Sequence, residues 1–132
     1  MATLHFEFVS PESVLFSGDV DQVDLPGAEG DMGILPGHAP LVTTLRPGIV
    51  TIFRDNKREP IVVTGGFAEV SPAGLTVLAD KALARADFDM ALLAAEIKDT
   101  EEDIADSKDH AQRDKLARHL EQLKSLQTAL AS

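Results

Sequence analysis

The sequence contains no cysteine, which excludes disulfides, thiolate metal sites and cysteine nucleophiles. It also lacks tryptophan and tyrosine, and six phenylalanines offer few stacking platforms for nucleic-acid bases. No apolar run approaches the roughly 20 residues that span a bilayer. The first ten residues lack the basic and apolar regions of a signal peptide. We therefore expect a soluble protein without direct membrane insertion, which reaches a membrane only through a partner.

Basic residues are scarce relative to acidic ones. Twelve Lys and Arg stand against 22 Asp and Glu, and the formal net charge is −10. Such a chain repels phosphate backbones, so we expect no nucleic-acid partner. Its length of 132 residues and 44% hydrophobic content are typical of one soluble domain, or of a small domain with an appendage.

The composition changes abruptly near Arg85. All nine glycines and all seven prolines precede this residue, and the remainder is rich in Ala, Leu and charged residues. We predict two domains with a boundary here, residues 1–84 and residues 85–132.

The first part has the pattern of short strands separated by turns. Leu4, Phe6 and Phe8 alternate with polar residues, which gives one apolar face with a period of two. Further short apolar runs cover residues 14–16, 19–25, 41–45, 49–53, 61–63, 67–70 and 75–79. No helical stretch of useful length interrupts them, so we predict an antiparallel β-sandwich or flattened barrel.

The second part has the pattern of two helices in an antiparallel hairpin. Asp87 is the predicted N-cap of the first helix, and Asp109 begins the second. The apolar stripe of the first helix consists of Met90, Leu93, Ile97, Thr100 and Ile104. The stripe of the second consists of Leu116, Leu120, Leu123 and Leu130, with Leu126 beside it. One stripe per helix makes a thin core, so the hairpin requires a further surface to be stable.

The glycines of "GAEGDMG", residues 27–33, have the spacing of a phosphate-binding loop. Pro36 and Pro40 prevent the helix that such a loop needs, and no lysine follows. Glu29 and Asp31 would repel phosphate. The pattern therefore favours a turn-rich connection over a phosphate site.

His38 lies between a glycine and an alanine in the same region. No other histidine has ligand spacing with it, and no nucleophile motif accompanies it. We interpret His38 as a structural residue that orients its loop through a hydrogen bond. No pair of carboxylates lies in an apolar setting suited to acid–base catalysis, so we expect no active site in this chain.

The stretch "GDMGILPGHAPLVTTLRPG" resembles the hallmark segment of the epsilon subunit of F-type ATP synthases, G-x-x-G-I-x-P-G-H-A-P. Two more stretches match that family, "VSPESVLFSGDVDQVDLPG" and "GGFAEVSPAGLTVLAD". The resemblance covers essentially the whole chain. It implies a mainly β N-terminal sandwich of about ten strands, followed by an all-α C-terminal antiparallel two-helix hairpin.

The resemblance also implies a function. Epsilon subunits form the foot of the central rotor stalk, where they attach to the gamma subunit and rest on the c-subunit ring. They catalyse nothing and couple proton flow to ATP synthesis. In many members the C-terminal helices extend towards the alpha/beta catalytic head and inhibit ATP hydrolysis. The expected location is peripheral, on the cytoplasmic face of the bacterial inner membrane.

Particular residues match positions of the family. Glu29, Gly30, Asp31, Met32 and Gly33 match the loop that touches the c ring. Acidic Glu29 and Asp31 could pair there with basic residues of the ring, so we predict that charge reversal at Asp31 weakens rotor attachment. The matches to positions near gamma and the stalk base are His38 and Thr43. The basic residues of the second helix that would meet the catalytic head are Arg113, Lys115, Arg118 and Lys124.

The sequence departs from the family at a nucleotide-binding motif, I/L-D-x-x-R-A. Asp89 is retained, but Leu92 occupies the arginine position and Leu93 the alanine position. Leu120 and Lys124 align with a basic pair on the second helix. We therefore expect weak or absent nucleotide binding and no cofactor. The alternative hypothesis is a nucleotide-sensing module that closes its hairpin on ATP, which calorimetric titration with ATP would distinguish.

Overall fold

The computed structural model describes residues 2–131. Met1 and Ser132, the first and last residues of the two predicted domains, lie outside the described residues. The backbone divides into two compact units, one ending at Asp87 and one beginning at Phe88. A short 3-10 turn, Arg85–Asp87, closes the first unit, so the division falls after this turn and not after Ala84.

The first unit contains ten strands in one sheet. They are β1 Leu4–Val9, β2 Val14–Val20, β3 Gln22–Gly27, β4 Gly30–Ile34, β5 Leu41–Leu45, β6 Gly48–Arg54, β7 Lys57–Val63, β8 Gly66–Ser71, β9 Gly74–Ala79 and β10 Ala82–Ala84. Their order is β10-β7-β6-β3-β5-β8-β9-β1-β2, and β4 pairs with β3 outside this path. The predicted sandwich of about ten strands is confirmed.

One pairing differs from the antiparallel prediction. β1 pairs with β9 in parallel, with Phe8 opposite Val77, whereas every other pairing is antiparallel in the part of the chain that the structure describes. Local turn signals could not reveal it, because the two strands are far apart in sequence. The run 19–25 also divides between β2 and β3 at Asp21.

The strands fold over an aromatic and aliphatic core. The Phe6 ring lies 5.6 Å from that of Phe8 and 5.8 Å from that of Phe16, measured between centroids. Phe6 and Phe8 are fully buried. The Arg54 guanidinium of β6 covers the Phe16 ring of β2 at 4.9 Å, so the end strand β2 lies against β6, the third strand from the other end of the sheet. A cation over an aromatic face is favourable, and the arginine partly covers the half-buried ring.

The β6–β7 hairpin turns at a polar tip. Asp55 and Asn56 adopt positive φ of 54° and 62°, between paired Arg54 and Lys57. Two consecutive left-handed residues are what a tight two-residue hairpin requires, and Asp and Asn tolerate this conformation better than most residues.

The second unit contains two helices, α1 Met90–Asp106 and α2 His110–Ala131, which pack against each other. The buried residues of α1 are Leu93, Ile97 and Thr100, and those of α2 are Leu123, Leu126 and Leu130. Leu126 therefore belongs to the stripe, while Leu116 and Leu120 are only half-buried. Among residues 2–131, neither helix is long and apolar enough to cross a membrane.

The N-cap of α1 is Asp89 and not Asp87, which corrects the sequence prediction. The Asp89 carboxylate accepts hydrogen bonds from the amides of Ala91 at 2.9 Å and Leu92 at 3.3 Å. Asp87 instead ends the preceding 3-10 turn. Asp109 caps α2 as predicted, since its carboxylate accepts a bond from the Ala111 amide at 3.1 Å.

Candidate functional site: an acidic hairpin and an apolar sheet face

The glycine-rich stretch forms a β-hairpin, which we call the tip hairpin (residues 22–34). Gly27 pairs with Gly30, so only Ala28 and Glu29 form the turn. The turn predicted over Glu29–Gly33 is thus shorter than expected, because Gly30 to Ile34 belong to strand β4. Both turn residues are exposed, which puts the Glu29 carboxylate at the tip.

The glycines of the tip hairpin permit the close approach of its two strands. A Cβ on Gly27 would lie 2.8 Å from the carbonyl oxygen of Gly30, closer than van der Waals contact. Gly30 has φ of +148°, a conformation that L side chains rarely adopt. The glycine spacing therefore serves a tight hairpin and not a phosphate cradle. The Met32 side chain turns inward and packs on the core.

Arg46, between β5 and β6, holds the turn end of the tip hairpin. Its Nη2 donates to Asp31 Oδ1 at 2.6 Å, and its Nε donates to the Gly27 carbonyl at 2.6 Å. Its backbone amide donates to the Pro26 carbonyl at 2.8 Å. Sequence reasoning missed Arg46, because a contact across 15 to 20 residues leaves no local pattern. One carboxylate of the hairpin is thus already ion-paired within the chain.

His38 lies in the loop between β4 and β5. Its ring Nδ1 is 2.7 Å from the Ala39 carbonyl oxygen, and its backbone amide donates to the Leu35 carbonyl at 3.1 Å. These bonds are of the kind expected for a residue that orients its loop. Within residues 2–131, no group of three or more His, Asp or Glu side chains is placed to hold a metal ion.

An open groove of about 440 Å³ runs beside His38 and contains a second histidine, His5, with Asp19. The His5 ring lies between two carboxylates, with Nε2 at 2.7 Å from Glu7 and Nδ1 at 3.3 Å from Asp19. Both ring nitrogens can donate only in the protonated form. The pKa of His5 is therefore raised above 6.5, chiefly by the hydrogen bond to Glu7 and then by that to Asp19.

The pKa of Glu7 moves in the opposite direction. The Ser17 hydroxyl donates to Glu7 at 2.7 Å, and this bond, followed by that from His5, lowers the carboxyl pKa below 4.5. Stability from His5 is complete below pH 6.5 and is lost as the pH rises through its higher folded-state pKa. Stability from Glu7 is complete above pH 4.5 and is lost as the pH falls through its lower folded-state pKa.

We expect Glu7→Gln to lower the pKa of His5 towards its ordinary value, because the substitution removes the stronger carboxylate partner. Asp19→Asn should lower it less, since its contact is longer. NMR titration of the His5 ring protons measures both shifts. An unchanged titration midpoint in Glu7→Gln would show that the hydrogen bond does not hold the proton in solution.

Three large apolar side chains are exposed together on the outer side of the sheet, and we call them the apolar face: Val42, Phe67 and Leu78. Their exposed fractions are 57%, 42% and 45%. Phe67 lies directly opposite Leu78 across β8 and β9, and Val42 lies on the neighbouring strand β5. Directly opposed side chains on one sheet face are close enough to touch, so Phe67 and Leu78 form one surface. Val42 pairs with the exposed Glu69 and is a diagonal neighbour of Phe67, which is still within reach of an aromatic ring.

Buried and exposed residues alternate along β8 and β9, and this alternation could have identified the apolar face from the sequence. Ala68, Val70, Leu75 and Val77 are buried, which leaves Phe67 and Leu78 as the apolar residues that point outward. Thr43, predicted to contact gamma, has a half-buried side chain on the opposite side of β5 from Val42, and its hydroxyl donates to the Thr44 carbonyl at 2.9 Å. The exposed neighbour Val42 is better placed for an external contact.

The sheet that bears both surfaces matches a known family. The family profile described as "ATP synthase, Delta/Epsilon chain, beta-sandwich domain" matches residues 3–85. The ATP synthase epsilon chain of Afipia carboxidovorans is 48% identical over 132 residues, which cover 100% of this chain and 97% of that one. That of Rhodopseudomonas palustris strain HaA2 is 52% identical over the same share of each chain.

The chain belongs to the family of ATP synthase epsilon chains.

Solved structures agree with this assignment of the epsilon family. A chain of the Euglena gracilis mitochondrial ATP synthase (OSCP/F1/c-ring, rotational state 1) superposes with a TM-score of 0.84 at 26% identity, covering 98% of this chain and 82% of that one. A chain of the Tetrahymena thermophila mitochondrial ATP synthase central stalk/c-ring superposes with a TM-score of 0.66 at 14% identity, covering 99% and 97%. The second supports the fold alone.

The degenerate nucleotide motif of this epsilon chain has a structural use. The retained Asp89 is the N-cap of α1, so its carboxylate already accepts two backbone amides. Leu92, at the arginine position, is 68% exposed and offers no hydrogen-bond donor in its side chain. The role of Asp89 as the N-cap of α1 therefore accounts for this residue without a nucleotide.

The four basic residues of α2 are all exposed, but their surroundings differ. Arg113 donates through Nε to the Ile104 carbonyl at 3.4 Å, and Lys124 lies 3.7 Å from the Glu101 carboxylate. These two residues therefore join the helices of the hairpin. Lys115 and Arg118 extend from the exposed side of α2.

Proposed function

We propose that this chain is a non-catalytic central-stalk subunit of the ATP synthase, with its tip hairpin on the c ring and its apolar face on gamma. The observation that carries the proposal is that two unlike exposed surfaces belong to one continuous sheet. The acidic tip hairpin begins in β3, and the apolar face spans β5, β8 and β9, which follow β3 in the strand order. A hydrogen-bonded sheet transmits force between two such contacts with little deformation.

The tip hairpin suits a polar partner. Glu29 is exposed at the turn and makes no hydrogen bond or ion pair to any of residues 2–131, so its charge is available to a basic group. The family resemblance implies that this hairpin touches polar loops of the c ring. The related Euglena chain belongs to an assembly that contains a c ring. We assign Glu29 to Gly33 to this contact.

The apolar face suits gamma, which is the protein partner that the family resemblance implies. Exposed aromatic and aliphatic side chains gain most from being covered by another protein, and central aromatic residues dominate binding energy at interfaces. Thr43 follows Val42 within β5, and His38 lies three residues before that strand, so the gamma-facing positions of the resemblance lie along the same segment.

The two contacts would join gamma to the c ring and couple proton flow to ATP synthesis. The complex would hold this chain peripherally on the cytoplasmic face of the bacterial inner membrane. No chemical step needs to occur in the chain itself.

The second unit is proposed to inhibit ATP hydrolysis by meeting the alpha/beta catalytic head. Among residues 2–131, six residues of this unit are buried, three on each helix, so its helices share a small core. Lys115 and Arg118 on the exposed side of α2 would then face acidic surfaces of the head. Arg113 and Lys124 would become available once the helices separate.

We expect faster ATP hydrolysis when the chain is truncated after Asp87, where the first compact unit ends. The rate of ATP hydrolysis is measured in complexes reassembled with the full-length or the truncated chain. Gel electrophoresis checks that both complexes contain equal amounts of the chain. Equal rates would overturn the inhibitory role and leave the rotor role in place. Loss of proton pumping driven by ATP in the truncated complex would instead show that the hairpin is needed for coupling.

A further inference from the structure

We infer that Arg46 is a positioning residue that sets the tip hairpin for the c ring and neutralises Asp31, which leaves Glu29 as the carboxylate that meets the ring. The inference rests on the proposed c-ring contact of the hairpin. It assigns different roles to two acidic residues that lie two positions apart in the sequence.

Arg46 contacts both strands of the tip hairpin. The Nε bond reaches the Gly27 carbonyl at the end of β3, and the Nη2 bond reaches Asp31 on β4, both at 2.6 Å. The planar guanidinium holds two acceptors in a fixed relative geometry, which a lysine ammonium does not. Arg46 therefore fixes the position of the turn that lies between its two acceptors.

The arginine is itself held in place. Its backbone amide donates to the Pro26 carbonyl at 2.8 Å, and the preceding Leu45 pairs with Gly27. Close packing continues at Gly48, where a Cβ would lie 2.9 Å from Pro26 Cβ. The β5–β6 connection therefore packs closely against the turn end of the tip hairpin, and the guanidinium extends from a fixed backbone position.

The ion pair changes the charge that the hairpin presents. The Asp31 side chain is 87% exposed, yet its carboxylate is paired with the Arg46 guanidinium. The pair has no net charge, so it attracts a charged partner only weakly. Glu29 is exposed at the tip and has no such partner among residues 2–131. Sequence reasoning gave the c-ring contact to both Glu29 and Asp31, and the ion pair leaves that role to Glu29.

The two roles for Asp31 predict opposite effects of removing the arginine. If Asp31 meets the c ring directly, Arg46→Met frees its charge, and binding to a basic loop is unchanged or tighter. If Arg46 positions the hairpin, both Arg46→Met and Asp31→Asn weaken binding by about three- to fivefold. The affinity of the double variant is then no lower than that of the single variant with the lower affinity, because both changes remove the same interaction.

Binding is measured with the full chain and synthase membranes that have been depleted of it. The reference is the same titration with a soluble head that carries gamma but no c ring. The ratio of the two affinities then gives the contribution of the c ring to binding. Glu29→Gln should reduce the salt dependence of this ratio. The double variant Arg46→Met with Asp31→Asn removes one charge of each sign, so it should leave the salt dependence unchanged. Glu59→Gln is the matched control, since it breaks another exposed arginine–carboxylate pair, at 3.1 Å, outside the tip hairpin.

Amide hydrogen exchange in the isolated chain separates the inference from the proposed function. Arg46→Met should speed exchange at the amide of Gly30, which pairs with Gly27, by about fivefold, and Arg46→Lys should recover part of the protection. Unchanged exchange, or tighter c-ring binding by Arg46→Met, overturns the positioning role. Faster exchange with no change in the affinity ratio for any variant confirms the positioning and overturns the c-ring contact.

Discussion

Gly66→Ala is expected to lower the free energy of unfolding of the sheet by about 3–5 kcal/mol. Gly66 begins β8, pairs with Ala79 of β9 and has φ of +144°. A Cβ there would overlap the Leu78 carbonyl oxygen and lie 2.9 Å from Ala79 Cα. Both atoms are backbone, so no side chain can rotate away and the strands must separate.

Urea unfolding followed by methyl NMR signals of buried Val77 measures this loss, because the chain has no Trp or Tyr for fluorescence. Gly37→Ala is the matched control. Gly37 also has positive φ, +82°, but a Cβ there meets no atom within 4 Å. It should cost only the backbone preference of about 1–2 kcal/mol. Equal losses for both substitutions would show that the β8–β9 clash relaxes easily.

Phe67→Asp is expected to weaken binding to gamma by about 30-fold, which corresponds to ~2 kcal/mol. Phe67 lies between Thr44 and Leu78 in the register, with Val42 diagonal to it, and a carboxylate there would have to lose its hydration without a partner. The side chain points away from the core, so the sheet itself should remain folded.

The affinity of purified gamma for the variant chain measures the effect, and unchanged Val77 methyl signals establish that the sheet is intact. Leu92→Asp is the control, because it places the same charge at an exposed leucine of α1. If Phe67→Asp binds gamma as tightly as Leu92→Asp, the apolar face is not the gamma contact. The proposed attachment of the sheet to gamma would then have to use a different surface.

The composition and periodicity of the sequence were sufficient for most of the architecture. The loss of Gly and Pro after Arg85 separated strands from helices, and the stripe through Leu93, Ile97 and Thr100 became the buried side of α1. Both signals are local, since a period of two or of 3.6 depends only on nearby residues. The parallel β1–β9 pair was missed because strand direction across a sheet depends on contacts distant in sequence.

The candidate surfaces were also predictable from the sequence only in part. The tip hairpin was found from its glycines and acids, and from the family resemblance that those residues carried. Its shape was predicted as a turn over five residues, whereas Gly27 and Gly30 pair and leave a turn of two. The N-cap of α1 was placed two residues early, because Asp87 and Asp89 are both suitable caps in sequence and only the backbone geometry selects Asp89.

By itself the sequence determined that this chain is an acidic, cysteine-free β-sandwich with a helical appendage, and its motifs identified the family. Only the tertiary structure decided which exposed groups are available to a partner. Arg46 reaches Asp31 across 15 residues, and Phe67 meets Leu78 across a strand pair. Neither contact is visible in a linear pattern, because hydrogen bonds and packing depend on distance in space, which the register of the sheet sets.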